Sequence, residues 1–197
     1  IEYVVFEVKA SDSDIAAANQ ALVDVYDEFA STENMKSFLL ANSDRAYDES
    51  WYKAGELNTV AAVVNDYVFG DNASVSEVLS NGNTFYAVRV MESAMVPDSV
   101  YVKYAPATVE NVDSLLNVAE PMWITQVPGY EAVMTAPKNS KVTVNGLVFN
   151  VLDRTAPVAK KKVAVLEKTA VASKETVNGY YAQANTFATK SAGKYEN

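Results

Sequence analysis

Two Asn-Gly steps, Asn81-Gly82 and Asn145-Gly146, each stand between runs rich in β-branched and aromatic residues. A short loop of that composition accepts the left-handed backbone that a tight hairpin turn requires, so each step marks a hairpin. Ahead of each hairpin the same series has already run once, a strand followed by helical periodicity. The chain is thereby constrained to two successive copies of one small α/β plan.

In the first copy Ile1–Lys9 reads as a strand, and Ser11-Asp12-Ser13-Asp14 supplies a helix cap with an acid three residues on. Ile15, Ala18, Leu22, Val25 and Phe29 recur at the spacing of one buried face and predict a helix to about Ala30. A second helix is expected over Glu33–Ala41, then a loop over Asn42–Leu57. From Thr59 a third helix runs to Gly70, placed to end it in the left-handed conformation. Strands Val75–Leu79 and Thr84–Glu92 form the hairpin.

Met95–Ser99 reads as a linker, after which strand Val100–Tyr104 and a helix over Val109–Ala119, capped by Thr108, restart the series. The second copy is shorter, with a turn at Pro128-Gly129, a brief helix at Tyr130–Thr135 and the hairpin Lys141–Val144 and Leu147–Asp153. A strand Lys162–Leu166 and a helix Lys174–Thr189, capped by Ser173, close the chain.

Histidine and cysteine are both absent, which removes the commonest general base, the thiol nucleophile and the usual soft metal ligands. No cofactor and no metal is expected. A net charge of −9 argues against a nucleic-acid surface. Lys160-Lys161-Lys162 reads as a solvated strand edge, and Asp44, Asp48 and Glu49 as a solvated turn without calcium-loop spacing. No stretch approaches the ~18 apolar residues of a membrane span, so no membrane insertion by this segment is expected. The start on IEYVVFEV and the close on KYEN read as the middle of a longer chain, with any targeting signal or anchor upstream.

Several joints carry a more specific pattern. Gly55-Glu56-Leu57 precedes a helix, FYAVRV over Phe85–Val90 forms a closing strand, and Pro97-Asp98-Ser99-Val100 opens the next one. With the order strand, helix, helix, aromatic-bearing loop, helix, hairpin, this resembles the parvulin-type peptidyl-prolyl cis-trans isomerase (rotamase) domain. NVLDRTAP from Asn150 and KKKVAVLEKTAVASKET from Lys160 resemble the exit of such a domain into the returning strand and helix of a chaperone. The likeness spans nearly the whole chain and points to the large envelope folding factors of the SurA/PpiD type.

The resemblance implies an α+β fold with two tandem parvulin-like domains, each a small antiparallel sheet with packed helices, plus a C-terminal strand and helix. Residues 1–95 would form the first domain, 96–158 a reduced second domain, and 159–197 a chaperone segment. It also implies a periplasmic or cell-envelope location and unfolded or extended client polypeptides as partners. Active members carry a histidine on the first strand and another on the last. Those positions fall near Val5 and on Tyr104, and on Tyr86 and near Leu147, so no catalytic residue is assigned.

The leading expectation is a non-catalytic module for binding unfolded polypeptide. The alternatives are a weakly active isomerase working through shape and apolar burial, and a structural spacer. By the resemblance, peptide-binding candidates are Tyr47, Trp51, Tyr52, Leu57, Phe69 and Tyr86, the loop, helix and strand residues that would wall a groove in the first copy. Rigid aromatic surface with a polar tip grips extended chain well. Trp51 has a competing reading as a plug at the base of the sheet, and Trp123 reads as such a plug.

Overall fold

The structure, a computed structural model, describes residues 3, 5–126 and 129–192. It is a mixed α+β protein with two four-stranded antiparallel sheets. The first has strand order β1-β8-β3-β2, from β1 (Trp51–Tyr52), β2 (Leu79–Asn81), β3 (Thr84–Val96) and β8 (Val158–Thr169). The second has order β5-β4-β7-β6, from β4 (Ser99–Pro106), β5 (Met122–Thr125), β6 (Ser140–Val144) and β7 (Leu147–Arg154). Only Pro97 and Asp98 separate β3 from β4, so the change of sheet falls inside the expected linker.

The two sheets have the same plan. In each, a hairpin occupies one side, its second strand lies beside a strand of similar length, and a short strand forms the far edge. In the second sheet the strand beside the hairpin is β4, first in its own series. In the first sheet that place belongs to β8, not to Ile1–Lys9. Tyr3 and Val5–Lys9 join no ladder, and residues 1, 2 and 4 lie outside the described residues. The reason is burial: Val163-Ala164-Val165-Leu166 is a continuous apolar run, buried throughout, as a central strand covered on both faces must be. The N-terminal run sets four apolar residues, Tyr3-Val4-Val5-Phe6, between Glu2 and Glu7, and leaves Val5 79% exposed.

Cα packing divides the chain into two compact units, residues 1–45, 78–87 and 166–197, and residues 46–77 and 88–165. In the first unit the expected long helix is two, α1 (Asp12–Val23) and α2 (Tyr26–Ser31). Val23, Asp24 and Val25 are poor helix formers in succession, and Val25 sits at φ −111°, ψ 2°, outside helical geometry. The apolar spacing survives the break, since Leu22 and Phe29 are both fully buried. Phe29 meets Phe38 of α3 (Met35–Asn42) with ring centroids 6.0 Å apart. The α1 cap forms as expected: Ser11 N–H donates to Asp14 Oδ2 at 2.9 Å and Asp14 N–H to Ser11 Oγ at 3.3 Å.

In the second unit a 3₁₀ turn over Glu56–Thr59 precedes α4 (Ala62–Phe69). Gly70 ends α4 in extended backbone, φ −83°, not in the left-handed conformation. Its glycine requirement is steric, because a Cβ there would lie 2.8 Å from the Asp66 carbonyl oxygen. α5 (Val112–Val118) starts later than expected, with Asn111 and not Thr108 at its cap. α6 (Glu131–Thr135) is the expected brief helix, whereas Pro128 of the expected turn lies outside the described residues. The β6–β7 loop is Asn145-Gly146 with both φ positive, 49° and 76°, the geometry that twists with the strands. Trp51, Val100, Val102, Val133, Phe149 and Val151 form the heart of this unit's core.

Candidate functional site: an apolar cleft on the last helix

α7 (Lys174–Ala192) begins where Thr176 N–H donates to Ser173 Oγ at 3.2 Å, the expected cap. Val177, Tyr180, Tyr181 and Ala184 recur at one-turn spacing and make an apolar stripe along it. Phe6 of the N-terminal segment meets this stripe, its ring and that of Tyr180 lying 6.2 Å apart at 59°. Phe6 and Val8 together with those four helix residues line a cleft of about 240 Å³. Tyr181 stays 66% exposed, and Tyr3, Val5, Val8 and Phe187 of the same unit are also exposed. This is smaller than the roughly 300–1,000 Å³ pockets that hold drug-sized molecules. It suits one or two apolar side chains of a longer chain.

The helix start is fixed by polar contacts. Thr176 Oγ1 donates to Asp14 Oδ2 at 2.6 Å and lies 3.0 Å from Ser11 Oγ, which joins the caps of α1 and α7. The Thr176 hydroxyl, then the Ser11 backbone N–H, hold the Asp14 carboxyl well below the usual carboxylate range.

The expected groove residues are placed elsewhere. Tyr47, Trp51, Tyr52, Leu57 and Phe69 belong to the second unit and Tyr86 to the first. Trp51 is 4% exposed within the core, with the Lys162 ammonium 5.0 Å from its ring centroid. Its backbone is paired by the Gln126 amide, which accepts from Trp51 N–H at 2.9 Å and donates to its carbonyl at 3.0 Å. Leu57 and Tyr86 are buried. Tyr47 and Tyr52 are half-buried, their hydroxyls donating to Glu49 and Asp48. Burial, then the Glu49 bond, raise the Tyr47 hydroxyl far above its ordinary range. Phe69 is half-buried, with the Lys161 ammonium 5.7 Å from its ring centroid.

Two surface readings need correction. Trp123 is no plug: it is 51% exposed and lies against Tyr101 at 5.1 Å. The lysine run is no solvated edge either. Lys160 is 5% exposed, pairs with Asp98 Oδ1 at 2.9 Å and donates to the Pro97 carbonyl at 3.2 Å. Lys161 donates to the Val68 carbonyl at 2.5 Å, and Lys162 pairs with Glu92 at 3.5 Å. Asp98 also takes Lys53 at 3.1 Å, and these bonds, Lys160's first, lower its carboxyl. No sequence pattern points to a pair so distant in the chain.

Of the residues at or near the positions where the resemblance would place histidines, Val5 is exposed outside any strand, Tyr104 is exposed, Tyr86 is buried and Leu147 is half-buried. Among the described residues no group of His, Cys, Asp or Glu is arranged to hold a metal, and no helix is long and apolar enough to cross a membrane. Comparison with protein-family models, curated proteins and solved structures returned no match.

Proposed function

We propose that this segment is a non-catalytic binding module of a parvulin-type cell-envelope folding factor, and that it holds unfolded or extended client polypeptide. The observation that carries the reading is the α7 cleft, an apolar concavity lined by Phe6 and Val8 on one side and by the α7 stripe on the other. Of its aromatic lining, Tyr181 is exposed to a partner, and Phe6 and Tyr180 are half-buried. Burying one large apolar side chain contributes about 1.5–3 kcal/mol before ordering costs, so a single cleft gives weak, sequence-tolerant holding, which suits a client that must later leave. The joints at Gly55–Leu57, Phe85–Val90 and Pro97–Val100 support the family reading, as does the shared strand order of the two sheets.

Arrays of unfolded-polypeptide fragments test it. Tyr181→Asp with Val177→Asp should weaken array binding by roughly tenfold, equivalent to about 1.4 kcal/mol, while the helical circular dichroism persists. A protease-coupled assay on a Xaa-Pro peptide should stay at the uncatalysed rate. Turnover of that peptide moves the reading to the weakly active isomerase. Failure of the parent protein to bind any fragment leaves the spacer.

A further inference from the structure

The two sheets present four edges, and three of them are blunted. β1 is two residues long and its Trp51 backbone is taken by the Gln126 amide. β2 is three residues long. β6 carries Lys141, paired with Asp113 at 2.5 Å. β5 is different: Met122-Trp123-Ile124-Thr125 has no charge and lies at the end of its sheet, paired among the described residues with β4 alone. Met122 is 46% exposed, Trp123 is about half exposed, and Thr125 is exposed. Edge strands without a charge, a bulge or a cover are templates for another strand.

We infer that β5 is a strand-addition site for an extended polypeptide that is apolar at alternate positions and neutral or basic overall. The backbone of an edge strand directs alternate N–H and C=O groups outward, so what completes it is another extended backbone. Trp123, seated on Tyr101, offers that strand an aromatic neighbour on one face. Ile124 is anchored against the core, which holds the edge in place. Charge selects the occupant. Glu110 and Glu120 are exposed beside α5 and just ahead of β5, and the chain carries −9, so a second copy is repelled and a basic or neutral segment is favoured. This site is separate from the α7 cleft and does not depend on it.

The test uses a short synthetic peptide alternating valine and lysine, and the same peptide N-methylated at every second residue, which keeps its charge and removes its donors. The unmodified peptide should slow hydrogen exchange at Met122–Thr125 and change Trp123 fluorescence. The N-methylated peptide, the Trp123→Lys variant and the separate Thr125→Lys variant should each bind roughly tenfold more weakly. Equal binding of the N-methylated peptide would overturn strand addition. So would slowed exchange confined to α7, or sedimentation showing that copies of the chain pair through β5. Loss of α7-cleft binding in Tyr181→Asp, with β5 protection retained, separates failure of the cleft from failure of this inference.

Discussion

The two sheets share a strand order but draw their strand beside the hairpin from opposite ends of the sequence. In the second, β4 precedes everything it pairs with, and every strand lies within residues 99–154. In the first, the strand is β8, which follows its hairpin partner β3 by more than sixty residues (96 to 158). The position in a sheet thus goes to the segment that can be buried on both faces, whatever its place in the chain.

The comparison is broken most directly at β8. Leu166→Ala should cost about 2–5 kcal/mol, as for a fully buried leucine, whereas Val5→Ala should change stability by no more than about 0.5 kcal/mol. Denaturant unfolding of the two variants measures this, and a large effect at Val5 with a small one at Leu166 would return the first-strand place to the N-terminus.

A smaller effect is expected where the chain passes from one sheet to the other. Asp98→Asn leaves the Lys160 ammonium buried with the Pro97 carbonyl as its remaining partner. Since the Asp98 side chain is itself 46% exposed, the loss should be about 1–3 kcal/mol, below that of a fully enclosed pair. Lys160→Met should cost less, because it removes the charge that needs a partner. A costlier Lys160→Met in thermal or urea unfolding would mean the ion pair is net stabilising.

The hairpins sharpen the comparison further. Gly146 at φ 76° and Gly82 at φ 62° both have open space where a Cβ would stand, so Gly→Ala should cost about 1 kcal/mol at either from backbone strain alone. Unequal costs would show that one hairpin tolerates a shift in its loop.

The smallest effect is in acid. The Asp14 carboxyl has its folded pKa below the ordinary 3.8, so its contribution is complete above about pH 3.8 and is lost as pH falls through the folded value. Thr176→Val removes the largest cause of that depression and should flatten the acid limb of stability below pH 3.8. An unchanged limb would place the acid sensitivity in other carboxylates.

Local signals were legible wherever backbone chemistry decides the outcome. Ser11 and Ser173 cap their helices, Asn145-Gly146 turns its hairpin, and the paired apolar positions Leu22 and Phe29 are interior. What was not legible depends on competition between distant segments. Ile1–Lys9 has β composition but loses its place to β8, and nothing local to Lys160 announces Asp98. The groove residues show the same limit. Trp51 has the composition of a binding aromatic, yet it is an interior residue of its own unit, while the open stripe lies on α7, whose sequence predicts a helix and does not say which face stays uncovered.

The late origin of β8 also orders events in time. During synthesis β4 to β7 emerge as one contiguous block, so the second sheet has all its strands as soon as residue 154 is made. The first sheet must wait for residues 158–169 although its helices α1 to α3 left the ribosome much earlier. Long-range pairing is slow because loop closure must precede its reward. The nascent chain therefore carries a finished second sheet and an open first one, and the edge of β3 that pairs with β8 stays free until residues 158–169 have been translated.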